Sequence, residues 1–161
     1  MQVSTLSEIY GSYLNRSPFQ ERETHLYALR PEVGAGLIRR FTTFSGIEIV
    51  HSQIHYNKPS SNTFASGGQL VELQFALSGQ RYVTIDRQEY TLPVGQGAII
   101  LLQDFQASFH LPSGEPYDSF TLGIPVSLFH YALSALGIRS SAGLPQILGG
   151  RSFWSTTFEL D

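Results

Sequence analysis

Between residues 46 and 125 apolar and polar positions alternate in short runs, each closed by a turn-forming pair or triplet. Val71, Leu73, Phe75 and Leu77 alternate with Glu72, Gln74, Ala76 and Ser78. Punctuation falls at Ser78-Gly79, Asp86-Arg87, Pro93-Val94-Gly95, Gln103-Asp104 and Pro112-Ser113-Gly114. Turn signals at such short intervals, with β-branched and aromatic residues between them, predict an all-β sandwich or barrel. Strands are expected over 47–56, 70–78, 81–86, 89–92, 98–102, 106–111 and 117–124. A closed antiparallel barrel encloses a pocket, and no other stretch of the chain offers a site.

The flanks follow different rules. Residues 4–14 carry Leu6, Ile9, Tyr10, Tyr13 and Leu14 at helical spacing behind a Ser4 or Ser7 N-cap, and Ser17-Pro18 stops that helix. Pro31, Gly34 and Gly36 break the stretch 25–37, and Phe41 to Phe44 favour an extended entry to the barrel. Residues 58–68 are rich in Ser, Pro and Gly and read as a surface loop. Beyond the barrel, Pro125 suits the first helical position. Leu128, Phe129, Ala132, Leu133 and Leu136 form the apolar stripe, and Gly137 ends the helix. Residues 140–150 read as loop, and 151–161 as an extended aromatic run. Three parts result: an N-terminal helical and extended segment (1–45), the barrel (46–125), and a helix with C-terminal segment (126–161). Trp154, Phe158 and Leu160 are unlike an ordinary polar terminus, so a continuation past Asp161 is expected.

Composition narrows the function. Only 14% of residues are charged, against roughly 25% in soluble domains. The ten Lys and Arg are outnumbered by thirteen Asp and Glu, so this segment lacks the basic stripe that binds nucleic acid. No cysteine is present, which excludes disulfides, thiolate metal sites and cysteine nucleophiles. No signal peptide or membrane-length apolar run is seen, and a cytoplasmic chain is expected.

The turn "SGQ" at 78–80, Glu89 and the run "LPVGQGAIILL" at 92–102 resemble the cupin-like sensor domain of AraC-family transcription regulators. The resemblance covers 46–136 and implies a cupin-like double-stranded β-helix, or jelly-roll barrel. "LQFALSG" and "ILGGRSF" (147–153) are most similar to the subgroup of siderophore-responsive regulators, such as the pyochelin regulator. It implies a small aromatic or siderophore-like effector and DNA contact only through a further C-terminal domain, while the apolar stripe of the helix after the barrel and the low charge fraction predict a homodimer. Carrying the family's contacts across places Ser78 where the arabinose-responsive member has a sugar-binding arginine. It places Gln74, Tyr82, His110, Asp118 and Phe120 around the ligand as well.

Two questions stay open at this stage. The alternation of 70–78 allows either face to line the pocket. The resemblance turns Gln74, Ala76 and Ser78 inward, and the apolar stripe of the following helix needs a sheet face to cover. The rival function is a stand-alone metal-dependent cupin enzyme, an isomerase or dioxygenase, with His51, His55, His110 and Glu72 as its only available ligands. His51 and His55 do share a strand face. The second metal-binding histidine position after Pro93-Val94-Gly95 is nevertheless apolar Ile99 or Ile100. No metal, cofactor or catalytic residue is therefore expected.

Overall fold

The computed structural model describes residues 14–16, 24–137 and 144–160. Among them, ten strands and two helices follow in order: β1 (Leu14–Arg16), β2 (Thr24–Leu29), β3 (Gly34–Thr42), β4 (Glu48–Tyr56), β5 (Ser60–Ser78), β6 (Tyr82–Ile85), β7 (Gln88–Thr91), β8 (Gln96–Leu111), β9 (Pro116–Ile124), α1 (Val126–Ala135), α2 (Leu144–Leu148) and β10 (Phe153–Glu159). The strands join in one antiparallel sheet of order β1-β2-β3-β4-β9-β5-β8-β6-β7, with β10 added against β8. The mainly β barrel with a helix after it agrees with the sequence reading. The expected helix over 4–14 lies outside the described residues except for Leu14, which opens β1.

β5 and β8 are the two long strands around which the sheet bends. Residues 58–68, expected as a loop, are largely strand, with Ser60 to Ser66 paired to Leu111 to Phe105. That half of β5 has β8 as its one partner and is an edge, so its polar composition carries no penalty for facing water. Gln103-Asp104, expected as a turn between two strands, lies within the single strand β8. Asp104 takes φ 44° there, opposite the register shift between Ser66 and Gln69. The irregularity is a bulge that bends the strand pair. Asp86-Arg87, by contrast, is a two-residue hairpin with φ 45° and 71°, the paired positive values a type I′ turn needs.

The interior holds two apolar groups. Ala76, Val83, Ile85, Tyr90, Ile100, Leu102 and Phe105 form one. Tyr27, Ile38, Val50, Ile54, Tyr56, Leu111 and Tyr117 form the other. A third cluster lies outside the sheet, where Val71 and Leu101 pack against Leu144 and Leu148. Both leucines are fully buried, so the 140–150 stretch is not simply loop: α2 packs on the outer face of the sheet at β8 and β5. Two leucines spaced i, i+4 are a signal too short to separate from loop in the sequence alone. α1 starts one residue later than expected, with Pro125 at the N-cap (φ −54°, ψ 133°), and has no buried residue. Val126 and Phe129 touch the outer cluster, while Tyr131 and Leu136 are exposed. None of the helices described is long and apolar enough to cross a membrane.

Candidate functional site

The second half of β5 has β8 on one side and β9 on the other, so both of its edges are paired. Alternation turns Glu72, Gln74 and Ala76 to the barrel interior and leaves Leu73, Phe75 and Leu77 outside. Most of the cross-strand partners of the inward residues are small. Glu72 lies between Ile100 and Gly123, Gln74 between Ala98 and Thr121, and Ala76 beside Ser119. Small partners leave room for polar side chains to meet one another inside.

Gln74 links the polar groups. Its Nε2 donates to Glu72 Oε2 at 2.7 Å, and its Oε1 accepts from Arg81 Nη2 at 3.1 Å. The partly buried Arg81 guanidinium also lies over the rings of Phe109 (4.9 Å) and Tyr117 (5.8 Å) in cation–π geometry. Arg81 reaches this position because the turn at Gly79 presses onto β9. A Cβ on Gly79, whose φ is 70°, would stand 2.2 Å from the Pro116 carbonyl oxygen. From β7, Tyr90 brings a buried hydroxyl that has no hydrogen-bond partner. Gln74, Ala76, Arg81, Tyr90, Tyr117 and Ser119 border a space of about 10 Å³, room for about one water.

Burial dominates the electrostatics. It raises the Glu72 carboxyl above the usual carboxylate range, opposed by the Gln74 hydrogen bond and the Arg81 charge. The same desolvation pushes the hydroxyls of Tyr56 and Tyr90 up to about 12, again with Arg81 pulling the other way. One arginine is thus felt by groups from β4, β5 and β7, at the centre of the barrel interior.

Of the residues expected around a ligand, Gln74 alone lies in this group. Ser78 follows a register shift after Ala76 and pairs with Asp118, partly exposed. Tyr82 and His110 meet across strands on the outer surface, rings tilted by 46° and 6.5 Å apart, and the Tyr82 hydroxyl donates to Gln80 at 2.8 Å. Asp118 accepts from His51 at 2.9 Å and from Gln53 at 3.0 Å, and Phe120 packs on His51 at 5.2 Å. On β9 the inward side chains are Tyr117, Ser119 and Thr121. The expectation that Asp118 and Phe120 face inward is thus corrected by one residue of phase, a slip that exchanges the two faces.

Arg81, Tyr90 and Tyr117 were not singled out from the sequence. A signal existed for the first: Arg81 has the parity of Val83 and Ile85, both buried on β6, so alternation alone turns it inward. The four candidate metal ligands separate. Glu72 is inside, His51 pairs with Asp118, His55 lies opposite Pro116 on β9, His110 meets Tyr82 at a tilt, and no group of three or more His, Cys, Asp or Glu is placed to hold a metal among the described residues.

Among solved structures the chain is similar to the AraC-like transcriptional activator CuxR, with 14% identity, a TM-score of 0.47 and 65% of this chain covered. The match spans 38% of that activator's chain. It is also similar to the bacterial pirin YhhW from Escherichia coli (11% identity, TM-score 0.47, covering 92% of this chain and 55% of that one). A cupin protein from Bacteroides fragilis shows 17% identity, a TM-score of 0.39 and coverage of 50% of this chain and 67% of its own. These likenesses are too distant to carry an argument about function. No curated protein matches by sequence. Residues 34–157 match the family described as the regulatory protein PchR N-terminal domain. The match takes in β3 to α2 and nearly all of β10, and the chain belongs to that family of AraC-type regulatory domains.

Proposed function

We propose that this chain is the effector-sensing and dimerisation domain of a cytoplasmic AraC-type regulator. A small molecule enters the barrel beside Gln74 and Arg81, and the domain controls a DNA-binding unit carried elsewhere in the protein. The observation that carries this reading is the Glu72–Gln74–Arg81 relay inside the barrel. Buried ionisable groups cost stability against apolar replacements of the same size, so their presence points to binding. The interior space has room for only about one water. An effector must therefore move Gln74 or Arg81, and that displacement separates a bound from an unbound state. The siderophore-responsive family supports an aromatic or chelating effector.

A thermal-shift screen of small molecules, ferric siderophores included, tests this on the wild type and on Ala76→Phe, which fills the interior beside Gln74. A stabilising compound whose effect disappears in Ala76→Phe supports the barrel site. A stabilising compound that acts equally on both proteins places the effector elsewhere.

A further inference from the structure

We infer that the ligand presents a carboxylate to Arg81 and Tyr90, taking the place of the Gln74 amide oxygen on the guanidinium. This rests on the reading that the effector binds inside the barrel, and adds the chemical class of the group recognised. Three observations converge on it. Gln74 Oε1, the acceptor on Arg81 at 3.1 Å, is neutral and belongs to a side chain that can turn away. A carboxylate accepts from a guanidinium through two parallel charge-assisted bonds, roughly twice as strong as neutral ones. The Tyr90 hydroxyl borders the same space, buried and without a partner, and a carboxylate oxygen satisfies it.

The surroundings favour an anion over a neutral group. Phe109 and Tyr117 hold the guanidinium from the side, which keeps its fork in place when Gln74 leaves. Glu72, which shares Gln74 with Arg81, is handicapped as a competitor, since burial holds its carboxyl toward the neutral form. Burial also keeps the Tyr90 hydroxyl protonated and able to donate up to about pH 12. A ligand hydroxyl or amide would replace one neutral acceptor by another and gain little on Arg81. The ligand's remaining body extends from the carboxylate into volume opened by the displaced Gln74.

An NMR titration with acetate and with its neutral isostere acetamide tests the assignment. The resonances followed are the Arg81 guanidinium and the Tyr90 ring. Acetate is expected to shift both and to bind about tenfold tighter than acetamide. Tyr90→Phe removes only an oxygen without a partner, so it folds, and it weakens acetate severalfold. Arg81→Gln abolishes the preference for acetate. Should that variant not fold, Arg81→Lys keeps the charge without the fork and must still weaken acetate. Acetamide matching acetate would overturn the carboxylate assignment and leave the barrel reading standing. So would acetate binding that is unchanged in both Tyr90→Phe and Arg81→Lys, which marks a surface site. Silence from both probes also overturns it. The barrel reading falls with it only if Ala76→Phe in addition leaves the effector found by screening unaffected.

Discussion

The side-chain amide of Gln74 donates to the carboxyl of Glu72 at 2.7 Å on the inner face of β5, with Glu72 only 8% exposed. Desolvation raises that carboxyl in the folded protein above its value of 4.5 in an open chain. The folded state therefore holds its proton to higher pH than the unfolded state. The stability this gives is complete below pH 4.5 and is lost as pH rises through the folded value. Glu72→Gln keeps an acceptor for Gln74 and removes the titration. Its melting temperature is expected to lack the decline that the wild type shows on raising pH from 4.5 toward neutrality. Parallel pH profiles for the two proteins would contradict this.

Tyr56 and Tyr90 reach the interior from β4 and β7, and burial pushes both hydroxyls up to about 12. Stability from these groups is complete below the open-chain value of 10.0 and falls as pH rises from there to about 12. Absorbance titration near alkaline pH is expected to show late phenol ionisation, diminished by one group in each of Tyr56→Phe and Tyr90→Phe. Ionisation of all tyrosines in one step near 10.0 would show that both are solvated.

Leu144 and Leu148 are fully buried between α2 and the outer face of β5 and β8. Leu148→Ala opens a cavity and is expected to lower unfolding free energy by about 2–5 kcal/mol in urea titrations. Tyr131 on α1 is 72% exposed, and Tyr131→Ala is expected to change monomer stability by less than about 0.5 kcal/mol. Equal losses would mean that the two helices share the work of covering the sheet.

The barrel was legible because its turns are written in residue types with few alternatives, such as Asp86-Arg87 and Gly79. Alternation along 70–78 fits either face, and Gln74 is read as inward from the family resemblance and from the need of the following helix's apolar stripe for a sheet face to cover. Elsewhere alternation is weak. Along 117–121 both faces mix apolar and polar side chains, so the phase taken from a distant resemblance put Asp118 and Phe120 inside. Ser60 to Ser66 carries no apolar face at all, and its pairing with β8 is dictated by a partner distant in sequence. An arginine beside a turn, as Arg81 is, reads as solvent-facing. Only the shared parity with Val83 and Ile85 marks it as an inner residue.

Self-association is expected through the surface of α1. The helix has no buried residue, and Tyr131 and Leu136 are 72% and 75% exposed. Apolar surface of that kind on a domain with few charges is expected to be covered by a second copy. Sedimentation at tens of micromolar should give a dimer, and Tyr131→Glu with Leu136→Glu should give a monomer. A dimer that withstands the double substitution would move the interface away from α1.

The two faces of the sheet make opposite predictions for effector binding. Gln74 and Arg81 face the interior, and Phe120 lies outside against His51. With the compound found by thermal shift, Arg81→Ala is expected to weaken binding by about 1.5–3 kcal/mol, the range for a hydrogen bond to a charged group. Gln74→Ala leaves both Glu72 and Arg81 short of a partner and should change affinity and stability together. Phe120→Ala removes packing beside the His51–Asp118 pair, 2.9 Å apart, so it should lower stability with little change in affinity. Calorimetry on the three variants, each checked for folding, decides between the faces. If Phe120→Ala abolished binding in a folded protein and Arg81→Ala left it intact, the effector would sit on the outer face of β4 and β9, and the interior relay would be structural.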